Sequence, residues 1–98
     1  MNDDSFAAPP YKPDEALQRL SRELRALGLV EREGVYARRG IAIARVALDG
    51  TVLRCEVVKK PSRNSPAWQP ARELKASADV RDFAHALKTQ LAAWTDDD

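Results

Sequence analysis

The sequence predicts a small α+β domain in the order α-β-β-β-α, a three-stranded antiparallel meander with two helices packed on one face. Leucines recur at helical spacing near the start of the chain, and a second helical apolar stripe occupies its last quarter. Between them, Asp49-Gly50 separates two β-prone segments, as in a two-residue hairpin turn. Two amphipathic helices cover one face of such a sheet and leave the other face open.

The chain of 98 residues corresponds to one domain, which we predict over residues 14–95. Residues 1–13 are acidic and rich in proline, which predicts a flexible N-terminal arm, and residues 96–98 form a short acidic tail. A single cysteine excludes an internal disulfide framework. We expect neither a secretory signal nor a membrane-spanning segment, and therefore a cytoplasmic location.

The first helix is predicted to begin at Pro13 and to end at Gly28. Two acidic residues stand in its first turn, facing the positive end of the helix dipole. Gly28 is suited to the left-handed conformation that closes a helix, and Leu29 and Val30 are expected to fold back onto the helix. Its apolar stripe consists of Leu17, Leu20, Leu24 and Leu27.

The three strands are predicted at about 34–38, 41–48 and 51–59. A turn at Asp49-Gly50 sets Arg45 opposite Arg54, and Arg39-Gly40 predicts a second tight turn. Because side chains alternate along a strand, one face of the meander is apolar and is predicted to form the core. That face consists of Val35, Ala37, Ala42, Ala44, Val46, Leu48, Leu53, Cys55 and Val57.

The second helix is predicted from Ser77 or Asp79 to Trp94. Pro61 and Pro66, with Pro70 directly after them, make the preceding residues 59–69 a loop, and residues 71–76 have no clear period. The helix carries its own apolar stripe, which is expected to pack beside the first helix. That stripe consists of Val80, Phe83, Ala84, Leu87, Leu91 and Trp94.

Positive charge is concentrated in the middle of the chain. Residues 32–75 contain ten Lys/Arg and four Asp/Glu, whereas both ends are net acidic. Several of these cations are predicted to share the open sheet face with aliphatic side chains and one tyrosine. This predicted binding face consists of Tyr36, Arg38, Ile41, Ile43, Arg45, Arg54 and Val58. The basic loop that follows it contains Lys59, Lys60, Arg63 and Trp68.

This combination of residues supports two functional hypotheses. The first is a non-catalytic interaction module that binds a protein partner or a second copy of itself, with aliphatic residues at the centre and arginines at the rim. The second is a nucleic-acid-binding accessory protein whose cations contact phosphates while Tyr36 and Trp68 stack on bases. The alternative to both is a solvated sheet face, with Trp68 anchoring its loop to the core.

Catalytic chemistry is not predicted. The chain has no Gly-rich phosphate loop, paired CxxC motif or nucleophile elbow, so we expect no enzyme, no cofactor and no small-molecule substrate. Cys55 is expected to be a small buried hydrophobe. His85 is expected on the exposed side of the second helix, without the neighbours of a metal site.

The order α-β-β-β-α resembles that of double-stranded RNA-binding domains. Those domains grip phosphates with lysines at the start of their second helix, which the resemblance would place at residues 76–82 of this chain. Those residues read Ala-Ser-Ala-Asp-Val-Arg-Asp and are net acidic. The resemblance is therefore one of topology, and it does not imply that this helix binds phosphates.

Overall fold

The computed structural model describes residues 11–96, with side chains as far as Trp94. Two helices and a five-stranded antiparallel sheet follow one another in the order α1, β1 to β5, α2, and the strands lie side by side in chain order. The chain is thus α+β, but the predicted three-strand meander is incomplete because two further strands flank it. The two helices and five strands have the bounds α1 Pro13–Ala26, β1 Val30–Arg32, β2 Val35–Arg38, β3 Ile41–Asp49, β4 Val52–Val57, β5 Arg72–Leu74 and α2 Ser77–Asp96.

Helix α1 ends as its sequence predicts. Gly28 adopts a φ of 90°. Its N–H bonds to the Arg25 carbonyl at 2.9 Å, and the Leu29 N–H bonds to the Leu24 carbonyl at 3.3 Å. These two bonds form a Schellman motif, which satisfies carbonyls that the helix leaves unpaired. Leu29 is thereby turned into the core, whereas Val30 is 71% exposed and does not fold back as expected.

Strand β1 was not predicted, because its three residues are too few to show an alternating pattern. The Glu33-Gly34 turn joins it to β2 and has positive φ angles of 53° and 83°, as a type I′ turn requires. The Arg39-Gly40 turn has φ angles of 55° and 80° and pairs Arg38 with Ile41. The Arg39-Gly40 turn was predicted from the sequence, whereas the Glu33-Gly34 turn was not. Strand β5 is also three residues long and lies in the segment that had no clear period.

The hairpin between β3 and β4 has a different register from the prediction. Its loop is Gly50-Thr51 rather than Asp49-Gly50, because Asp49 pairs with Val52. Arg45 consequently faces Glu56, and the predicted pairing of Arg45 with Arg54 does not occur. The observed register places opposite charges across the ladder, where the predicted one would oppose like charges.

One hydrophobic core joins both helices to the same face of the sheet. Leu20 and Leu24 of α1 meet Phe83 and Leu87 of α2 above Leu53 and its neighbours in β4. The predicted stripes of both helices are confirmed, since their central residues are buried in this cluster. The predicted core residues Val35, Ala37 and Ala42 lie outside the cluster, and Leu48 is 41% exposed.

The predicted N-terminal arm and acidic tail fall mostly on residues 1–10 and 97–98, which lie outside the described residues. Of the arm, Tyr11 packs against the core, and its hydroxyl donates a hydrogen bond of 2.9 Å to the Leu74 carbonyl. None of the helices in the described part of the chain combines the length and apolar composition that crossing a membrane requires.

Candidate functional site

The residues of the predicted binding face do not share one surface. Tyr36, Ile43 and Val58 are 3%, 1% and 0% exposed, so none of the three can form the centre of an open face. Arg38 and Ile41 lie towards α2, where the Arg38 guanidinium donates to the Leu91 carbonyl at 3.4 Å. Only Arg45 and Arg54 lie on the sheet face where the prediction put them, although they do not pair with each other.

A β-bulge explains this redistribution. The β2–β3 register shifts between Tyr36, which pairs with Ala44, and Ala37, which pairs with Ala42, so β3 has one extra residue, Ile43. A single inserted residue exchanges the two faces of a strand. Tyr36 therefore enters the core, where the predicted alternation would have placed it on the open face.

The face of the sheet opposite the helices forms the first candidate site. Its members pair with one another across the strands. Along each strand they alternate with the residues on the side of the core. Val30 is the most exposed large hydrophobic residue among those described. We call this surface the helix-free face, and it consists of Val30, Arg32, Val35, Ala37, Ala42, Arg45, Ala47, Arg54, Glu56 and Glu73.

Two of the three arginines of the helix-free face, Arg45 and Arg54, are paired with carboxylates. The Arg45 guanidinium donates two hydrogen bonds to Glu56, at 2.7 and 3.0 Å. Arg54 Nη1 lies 3.8 Å from both Asp49 and Glu73. The hydrogen bond from Arg45 lowers the pKa of Glu56, and the same bond raises the pKa of Arg45. The face therefore has mixed charges that largely offset one another.

The loop between β4 and β5 brings Trp68 next to this face. Val58 forms an isolated antiparallel bridge with Trp68, and the Lys59 N–H bonds to the Ala67 carbonyl at 2.9 Å. The Arg45 guanidinium carbon lies 4.3 Å from the centroid of the Trp68 ring, a cation–π geometry. Trp68 thus anchors the base of the loop, while Lys59, Lys60 and Arg63 are exposed.

A cleft near the end of α2 forms the second candidate site. It encloses about 350 Å³, and three arginines line it: Arg38, Arg39 and Arg63. Its apolar walls are Ile41, Ile43 and Trp94. We call it the arginine cleft. It unites one residue of the basic loop with three of the predicted binding face, at a place that the prediction did not anticipate.

The free cysteine of the described residues belongs to neither site. Cys55 is buried in the core, where the loss of solvation raises the pKa of its thiol from 9.0 to about 12. His85 is exposed on α2. Across the described residues, no three His, Cys, Asp or Glu side chains are grouped so that they could hold a metal ion.

The raised pKa of Cys55 makes stability dependent on pH. In the unfolded chain the thiol ionises near 9.0, whereas in the folded protein it stays protonated to about 12. Its contribution is present below the lower value and is lost as pH rises between the two, at about 1 kcal/mol per pH unit. We expect urea denaturation to show a smaller decline of stability over this range in Cys55→Ala than in the parent. Equal slopes would contradict this expectation.

Several contributors to these surfaces were missed from the sequence, among them Val35, Ala37 and Ala42, which were assigned to the core. Val30 was assigned to the core because a three-residue strand shows no period. Arg39 was assigned only to a turn, and Trp94 only to the apolar stripe of its helix. The tight turn that was predicted at Arg39-Gly40 was the one signal for an exposed arginine at that place.

Comparisons with protein-family models, curated proteins and solved structures find no significant match to this chain, so the functional argument rests on its own residues.

Proposed function

We propose that the protein is a non-catalytic, cytoplasmic interaction module that binds a protein partner, a second copy of itself included, through the helix-free face. The observation that carries this proposal is the charge pairing on that face. Arg45 and Arg54 already contact carboxylates of Glu56, Asp49 and Glu73. A surface with offset charges and interspersed apolar groups suits a protein surface better than a polyanion.

The shape of the helix-free face supports the same proposal. Ala37, Ala42 and Ala47 have short side chains, so a partner can approach the middle of the sheet closely. Val30 at the edge is 71% exposed, and burying it would remove apolar surface from water. Sheets that pack face to face approach to about 10 Å, a spacing that small and β-branched residues permit.

Nucleic-acid binding is the second candidate function. The observation in its favour is the basic loop, since residues 59–71 contain no acid and Lys59, Lys60 and Arg63 are exposed. On the sheet itself, Arg45 would have to leave Glu56 before it could contact a phosphate, which makes the face a poorer phosphate site. This alternative therefore depends on the loop more than on the sheet.

Self-association through the helix-free face is tested by sedimentation velocity over a dilution series. We expect a reversible dimer in the parent chain. Val30→Asp and Ala47→Glu should shift it to monomer, because each places an unpaired charge within the buried interface. Leu48→Asp is the matched control, since Leu48 is also an exposed hydrophobic residue but is not part of that face.

A strictly monomeric parent chain at high micromolar concentration would remove the self-association form of the proposal. The nucleic-acid alternative gives a separate result, namely binding to single- or double-stranded RNA or DNA that weakens steeply with salt. That nucleic-acid binding should be weaker in the double variant Lys59→Glu, Lys60→Glu. An absence of such binding at low salt would remove the alternative.

A further inference from the structure

The arginine cleft has the composition of an anion site with an apolar wall. Arg38 and Arg39 come from the β2–β3 hairpin and Arg63 from the basic loop, so two distant segments converge there. Its described lining residues include no carboxylate. On the helix-free face, Arg45 and Arg54 lie beside the carboxylates of Glu56, Asp49 and Glu73.

The cleft is held in place by its surroundings. Arg38 donates to the Leu91 carbonyl of α2, which fixes that side chain against the helix. Arg39 stands in a type I′ turn with a φ of 55°, next to Gly40. The loop that carries Arg63 is closed at its base by the Lys59–Ala67 backbone hydrogen bond. A site that is preorganised in this way loses less entropy when a ligand binds.

The two parts of the cleft select different parts of a ligand. Guanidinium groups bind phosphate through paired, charge-assisted hydrogen bonds. An indole offers a flat surface on which a base can stack, and Ile41 and Ile43 exclude water beside it. A volume of about 350 Å³ lies at the lower end for small-molecule sites, which suits one nucleotide rather than a larger cofactor.

We propose that the arginine cleft binds a nucleotide, with the phosphate on Arg39 and Arg63 and the base against Trp94. The nucleotide can be free or can be one unit of a single strand, because both present the same phosphate and base. This site is independent of the helix-free face, and a nucleotide bound there leaves the proposed protein interface unoccupied.

Binding is tested by titrating the full chain with adenosine 5′-monophosphate and following tryptophan fluorescence and heat. The Trp68→Phe variant makes Trp94 the sole tryptophan, since the chain has two. We expect saturable quenching of Trp94 with a dissociation constant of about 1 mM or below. Arg39→Glu and Arg63→Glu should each weaken binding at least about tenfold. Arg22→Glu, an exposed arginine on α1, should leave it unchanged.

Two further ligands decide what the cleft recognises. Inorganic phosphate and phosphotyrosine should bind more weakly than the nucleotide, because neither offers a base to the indole. Equal or tighter binding of either one would overturn the proposal, as would the absence of saturable quenching or equal effects of the Arg39 and Arg22 variants. An adenylate pentanucleotide that binds much more tightly than the mononucleotide identifies a strand as the source, and equal affinity identifies a free nucleotide.

The Val30→Asp variant separates this proposal from the proposed function. It alters the helix-free face and leaves the arginine cleft intact, so nucleotide binding should persist in it even when self-association is lost. Conversely, Arg63→Glu should weaken nucleotide binding without changing the dimer. Loss of both properties in either variant would contradict the separation of the two sites.

Discussion

Replacing Phe83 with alanine should lower the free energy of unfolding by about 3–5 kcal/mol. Phe83 is 1% exposed and lies in the core cluster between the helices and the sheet. The substitution removes a large apolar side chain and leaves a cavity, and it also deletes the ring that lies 5.5 Å from the Arg72 guanidinium carbon. A domain of this size has only about 5–15 kcal/mol of stability, so much of it should be lost. Urea denaturation followed by far-ultraviolet circular dichroism measures the change.

His85→Ala is the matched control, because His85 lies on the same helix two residues away and is exposed. Its effect should stay within about 0.5 kcal/mol, the usual range for surface substitutions. If both variants unfolded at the same urea concentration, Phe83 would not have the central packing role that its burial indicates. The packing of α2 against the sheet would then depend on other residues.

The second large effect is expected at Gly34, where alanine should destabilise the protein more than at any other turn glycine. Gly34 has a φ of 83°, and a Cβ there would lie 3.0 Å from the carbonyl oxygen of Val46. The N–H of Val46 also donates to the Gly34 carbonyl at 2.9 Å. Left-handed backbone costs a residue with a side chain about 1–2 kcal/mol, and here an unusually tight contact with backbone is added. We expect a total loss of about 2–3 kcal/mol.

Gly40→Ala isolates the contribution of that contact. Gly40 has a φ of 80° in the neighbouring type I′ turn, but a Cβ there meets no atom within 4 Å. Both variants incur the backbone strain, and only Gly34→Ala adds the contact with Val46. Thermal unfolding of the two variants should therefore differ, with Gly34→Ala melting lower. Equal melting temperatures would mean that the β1–β2 hairpin can shift away from β3 at little cost.

The helices and the Arg39-Gly40 turn were predictable because their signals are local. The leucine spacing of α1 and the glycine after it specify a buried stripe and a Schellman stop within a few residues. The Arg39-Gly40 turn likewise depends on backbone preferences of adjacent residues. The short strands β1 and β5 were not predictable, since three residues contain too little alternation to reveal a period.

The two errors in strand pairing had different consequences for the candidate site. At the β3–β4 hairpin, each residue meets a partner two positions away from the expected one, and a shift of two preserves the side-chain faces. Arg45 and Arg54 therefore remain on the helix-free face although their neighbours differ. At the β2–β3 pair, the extra residue Ile43 exchanges the faces, which removes Tyr36 from the predicted surface.

The sequence alone determined the two helices, their buried stripes and the antiparallel order of the central strands, because periodicity and turn chemistry act over short distances. Tertiary structure decided which side chains share a surface. The bulge at Ile43 arises where both Ile43 and Ala44 become buried, which is a property of the packed core. The arginine cleft joins Arg38, Arg63 and Trp94, and no local pattern relates segments that only the complete fold brings together.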